Sequence, residues 1–122
     1  MSDTYTKARF WRCALQVNPS GYIAYRGAEH GMTEAQYNRK LTEVALENDI
    51  KVIGLADHGN VDGVDAIRTL MNDNGILVLP GFEIASSEKV HFVCLYPEDT
   101  TTTELNRYLG NLELLDPENG VR

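Results

Sequence analysis

Polar and apolar positions alternate along residues 10–18, FWRCALQVN, putting Trp11, Cys13, Leu15 and Val17 on one side and Arg12, Ala14, Gln16 and Asn18 on the other. A period of two predicts a first strand. Residues 19–31 are rich in Gly and Tyr and read as a loop. The period then lengthens. Tyr37, Leu41, Val44 and Ala45 recur at helical spacing behind Thr33 and Gln36, a capping box in which each side chain satisfies a backbone N–H left over at the helix start. Residues 51–57 form a second strand. Residues 61–72 form a second helix with Val64, Ile67 and Leu70 inward, stopped by Asn74-Gly75. ILVLPGFEIAS is a third strand with a Pro-Gly interruption and KVHFVCLYP a fourth. A second capping box, Thr101 with Glu104, starts a third helix carrying Leu105, Tyr108, Leu109 and Leu112 on one side. The tail after Leu115 reads as frayed.

Strand, helix, strand, helix, strand implies parallel crossovers, hence an α/β sheet or part of a barrel. Function in such folds gathers at the carboxyl ends of the strands. The second strand ends there on Asp57-His58-Gly59-Asn60. Two readings stand side by side. Asp57 and His58 are metal-binding or catalytic, or Asp57 or Asn60 caps the second helix and His58 is a turn residue in solvent.

Two further ligand-type side chains, Glu83 and His91, lie on consecutive strands joined by ASSEK, a hairpin between residues 82 and 95. A three-residue loop at 86–88 sets Glu83 directly across from His91. Phe82, Ile84, Val90 and Phe92 then share the opposite face, whereas a slip of one residue mixes polar with apolar. Imidazole and carboxylate together suit zinc, manganese or iron, and such ions activate water at neutral pH. His30, between Glu29 and Gly31, reads as loop surface, and the pair Ser86-Ser87 as turn chemistry.

Composition narrows this further. The chain has 122 residues, enough for a single domain over 1–122. No apolar stretch approaches the roughly 20 residues that cross a bilayer, and MSDTYTKARF lacks the apolar segment of a signal peptide, so a cytoplasmic location without membrane contact is expected. A net charge of -7 gives nucleic-acid binding no support, although a metal held near a phosphate would supply its own positive charge. No G-x-x-x-x-G-K-[ST] loop is present. Cys13 and Cys94 both fall in expected strands and need not pair.

GLADHGNVDG, ILVLPGFEI and VHFVCLYPED resemble the second and third motifs of the PHP (polymerase and histidinol phosphatase) domain. WRCALQVNP and HFVCLYPEDTTTTELNRYLG are most similar to the branch in which this domain precedes an SMC- or AAA-type ATPase, the TrlF-like proteins. The resemblance runs from about Phe10 to Leu115. It implies a distorted β/α barrel, here a partial one of about four strands and three helices, that hydrolyses phosphoesters with divalent metal. His58 becomes a metal ligand, Asp57 a ligand or the acid orienting it, Glu83 a metal-bridging carboxylate and His91 the histidine of the next strand. Catalysis falls to Asp57 and His58. The family's first motif, His-x-His, is replaced by Gln16 and Asn18, and amide oxygens are poor substitutes for imidazole on a transition metal. Its later ligands would lie beyond Arg122. The resemblance thus implies a weakened or inactive phosphoesterase, either the leading piece of a longer protein or a truncated paralogue. The alternative is a degenerate module for docking, homo-oligomerisation or control of a downstream ATPase or nucleic-acid enzyme.

Overall fold

A computed structural model describes residues 10–20, 31–57 and 61–112. The described chain is mixed α/β, with three helices and two small sheets and no closed barrel among these residues. The strands are β1 (Arg12–Val17), β2 (Ile50–Leu55), β3 (Leu77–Leu79), β4 (Gly81–Ala85) and β5 (His91–Leu95); the helices are α1 (Glu34–Glu47), α2 (Val64–Asp73) and α3 (Thr102–Asn111). Strands β1, β2 and β3 form a parallel sheet in that order, with β2 central, and β4 pairs with β5 in an antiparallel hairpin. Among the described residues no helix is long and apolar enough to cross a membrane.

The expected third strand is two strands in different sheets. Pro80 has no N–H to give a ladder, so pairing with β2 stops at Leu79 and pairing with β5 starts at Gly81. The Pro80 carbonyl still accepts the Tyr96 N–H at 2.9 Å, which keeps the hairpin stitched to the end of β3.

Both capping boxes form. Thr33 Oγ1 accepts the Gln36 N–H at 3.2 Å while Gln36 Oε1 accepts the Thr33 N–H at 2.9 Å. Thr101 and Glu104 repeat the exchange at 3.1 Å in each direction. Helix α2 ends at Asn74-Gly75 as the sequence indicates: Gly75 N–H donates to the Asn72 carbonyl and Ile76 N–H to the Met71 carbonyl, and buried Ile76 and Met71 supply the apolar pair that accompanies this cap.

The inward face of α1 differs from the expected one. Asn38, Thr42 and Ala45 are buried, Leu41 packs against the core, and Val44 is exposed. Thr42 is accommodated there because its hydroxyl donates to the Asn38 carbonyl at 2.7 Å, satisfying itself within the helix. In α2 the third inward position is Met71, with Leu70 half-buried, and in α3 Leu112 is exposed while Leu105 is buried. Strand β1 also departs from strict alternation. Its register against β2 shifts between Arg12 and Cys13 and again between Ala14 and Val17, so Ala14 and Val17, three apart, both pack on the core while Leu15 is exposed.

The core lies between the parallel sheet, α2 and the inner face of the hairpin, centred on Ile53, Leu55, Ile67, Met71, Val78 and Phe82. Phe82 joins the hairpin to α3 through a ladder of rings: Phe82 to Tyr96 at 5.6 Å between centroids, then Tyr96 stacked on Tyr108 at 5.1 Å. The hairpin approaches β2 over Gly54, where a Cβ would come within 2.8 Å of both the Leu15 carbonyl oxygen and the Leu95 side chain. Neither Cys13 nor Cys94 is in a disulfide.

Candidate functional site

The chain leaving β2 is shared between both sheets. Ala56 N–H donates to the Val17 carbonyl, and the Asp57 carbonyl accepts the Glu83 N–H, both at 2.9 Å. Asp57, at the carboxyl end of β2, therefore lies between the end of β1 and the middle of β4. Asp57 is buried and does not cap α2, whose cap position is Gly63 without a side-chain bond. His58, Asn60 and His30, most of the loop after Ser20 and the tail after Leu115 lie outside the described residues.

Glu83 and His91 are neighbours, but not in the expected register. Ala85 pairs with His91, and Glu83 pairs with Val93. The loop does have three residues, placed one further along. Ser86 and Val90 close it through the Ser86 N–H and the Val90 carbonyl at 2.9 Å, and Lys89, at φ 67, takes the left-handed position that follows a tight turn in three-residue hairpins. The Ser86 hydroxyl accepts the Val90 N–H at 3.2 Å. Moving the bend by one residue moves the pairing by two, and two is the period of a strand. Glu83 and His91 therefore remain on one face as diagonal neighbours, within reach of long side chains.

That reach is used. The Glu83 carboxylate, in a residue 5% exposed, has His91 Nδ1 at 3.1 Å from Oε1 and accepts the Gln16 amide N–H at 2.8 Å on Oε2. His91 is half exposed, its side chain at 49%. One buried acid thus joins β1, β4 and β5. The geometry fixes the chemistry of the imidazole. With a carboxylate at Nδ1, the ring is held with its N–H on that side, which makes Nε2 the acceptor nitrogen.

A second polar group lies beside it. The Tyr37 hydroxyl, from the first turn of α1, donates to the Asn18 carbonyl at 2.5 Å. Burial, and then the charge of Asp57, hold the Tyr37 phenol above its ordinary value of 10.0, so it stays a donor. Sequence patterning counts Tyr37 only as part of an apolar stripe. The signal for its second role is its position: a tyrosine in the first turn of a helix that starts near the strand ends, whose ring is half-buried and whose hydroxyl needs a partner.

The sequence-derived site residues divide as follows. Glu83 and His91 touch, Gln16 completes their group from β1, and Asp57 reaches Glu83 through the backbone. Among the described residues no three His, Cys, Asp or Glu side chains are gathered so as to hold a metal ion. No family model, curated protein or solved structure matches the chain.

Proposed function

We propose that the chain is a PHP-type phosphoesterase domain, cytoplasmic, whose centre is weakened or inactive. The observation that carries the reading is the meeting of Glu83 and His91 beside the carboxyl ends of parallel strands, with Gln16 as the third member. A carboxylate and an imidazole from adjacent strands beside Asp57 fit the phosphoesterase pattern. Gln16 supports the weakened form of it. Its amide donates to one of the Glu83 oxygens, and an N–H donor cannot be a metal ligand. The described donor set suits a divalent ion poorly, so the available catalysis falls to the chain's own groups. Glu83 would orient His91, and His91 Nε2 would take or give a proton at a phosphoester oxygen. A positioned acid–base group contributes about 10²–10⁴-fold. Efficient hydrolases need at least about 10⁶-fold. Weak turnover follows.

The test is hydrolysis of a generic phosphodiester with manganese present. The chain as it stands is expected near the uncatalysed background, and the double variant Gln16→His with Asn18→His is expected to gain at least roughly tenfold, since it puts metal-ligating nitrogens at the end of strand β1. Brisk manganese-dependent turnover by the unaltered chain, lost in His58→Ala, would reverse the weakened reading.

A second reading, a degenerate module for association or for control of a linked ATPase, is favoured by exposed apolar residues: Trp11 just before β1, Leu15 on β1, and Val90 and Phe92 on the hairpin. Sedimentation across a concentration series separates it from the first, because a self-associating module gains mass with concentration.

A further inference from the structure

We infer that Gln16 takes the place of a cation at the Glu83–His91 pair, so that the pair is assembled without metal and is closed to it. This rests on the reading of the site given above and concerns how that site is held together.

A carboxylate buried as deeply as that of Glu83 is unfavourable unless donors or a positive charge compensate it. Here each oxygen has a donor. The Gln16 amide serves Oε2 from β1, and His91 Nδ1 serves Oε1 from the neighbouring strand of the hairpin. The amide nitrogen must face the carboxylate, because the reverse orientation would set two acceptor oxygens against each other. The Gln16 N–H therefore takes up one of the two Oε2 lone pairs and turns the positive end of the amide towards that oxygen, so an ion approaching it meets a like partial charge unless the amide is displaced. The arrangement also crosses between the sheets: Gln16 is 67 residues from Glu83 in the chain and belongs to the parallel sheet, whereas Glu83 and His91 belong to the hairpin. A bound ion in such a place would fasten the two sheets, and here a neutral amide does so.

Replacing Gln16 by the nearly isosteric glutamate separates these roles. In Gln16→Glu two carboxylates meet at hydrogen-bond distance, and they cannot both stay ionised unless a cation or a proton lies between them. The measurement is the melting temperature of the full chain, stripped with EDTA and then titrated with manganese or zinc chloride. Gln16→Glu is expected to melt roughly 5 °C or more below the unaltered chain without metal and to recover most of that loss when either ion is added. The unaltered chain is expected to shift by no more than about 1 °C over the same titration. Gln16→Ala provides a variant that folds even if the glutamate is too disruptive. It removes the blocking N–H without adding charge, and its melting temperature is expected to respond to metal more than that of the unaltered chain. A purely structural Gln16 would lower the melting temperature in both variants without making either respond to metal, and that result overturns the inference. So does a metal-induced rise in the unaltered chain that disappears in Glu83→Gln. No substrate takes part in these measurements, so a failed phosphodiester assay leaves them standing, and their failure leaves the assay standing.

Discussion

Strands β2 and β5 are both apolar in sequence, yet Ile53, Gly54 and Leu55 of β2 are all buried, whereas His91, Phe92 and Val93 of β5 are all exposed. The difference is one of neighbours. Strand β2 lies between β1 and β3 with α1 and α2 packed on the sheet, so both of its faces and both of its edges are used. Strand β5 pairs with β4 alone among the described residues, and its alternate side chains point to two faces of a two-stranded ribbon. Such a ribbon has little stability of its own and depends on what it docks against. Here it docks through Phe82 on one face and through Glu83 on the other. The candidate site is therefore also a structural joint, and the residues that would do chemistry are those that hold the less stable region to the more stable one.

The sharpest way to probe this contrast is to remove the same side chain from each strand of the hairpin. Phe82→Ala is expected to destabilise the fold by about 3–5 kcal/mol, since Phe82 is fully buried and anchors the ring ladder to α3. Phe92→Ala, at a position 49% exposed, is expected to cost about 0.5 kcal/mol or less. Urea denaturation of the pair decides it. If Phe92→Ala proves as damaging as Phe82→Ala, the turn end of the face they share is covered in solution and the contrast between the strands disappears.

A smaller effect is expected at the glycines. A Cβ on Gly81 would fall 1.9 Å from the Cys94 carbonyl oxygen, within the hairpin itself, so Gly81→Ala is expected to cost about 1–3 kcal/mol. Gly110, in α3, has open space around the same added atom, and Gly110→Ala is expected to stabilise by up to about 1 kcal/mol. Equal effects of opposite sign to these, again by denaturation, would mean that the two strands of the ribbon lie further apart than described.

The smallest expected effect is a pH dependence on the parallel-sheet side. The folded Tyr37 phenol titrates above its unfolded value of 10.0, so its contribution is fully present below that pH and is lost as pH rises through the higher folded value. Above about pH 10 the unaltered chain should therefore lose stability more steeply than Tyr37→Phe, which has no proton to lose there. Identical slopes would show that Tyr37 is not buried beside Asp57.

Local chemistry was the most legible part of the sequence. Thr33 with Gln36, Thr101 with Glu104, and Asn74 before Gly75 each specify a helix end through bonds made within a few residues, and all three form. Non-local properties were less legible. The inward face of α1 was misread because Asn38 and Thr42 are buried, and no periodicity of apolar residues could mark them. The alternation of β1 was misread because its register shifts depend on pairing with β2, which lies beyond a whole helix in sequence. For the site, the shared face of Glu83 and His91 was legible from their polarity against Phe82 and Phe92. Their diagonal offset was not, since it depends on Lys89 accepting a left-handed backbone, a position more often given to glycine. Nothing in the local pattern announced that Gln16 would reach Glu83 from the other sheet.

The bend at 87–89 has a further consequence. Wherever an odd-length turn of this kind is centred along the two strands, the numbers of facing residues change in even steps, so sidedness is conserved while alignment is not. Sliding the turn along the ribbon would alter the distance between the acid and the imidazole without ever sending them to opposite sides. A lineage could thus adjust the spacing of this pair, loosening or tightening it, through turn residues alone and leave the interior untouched.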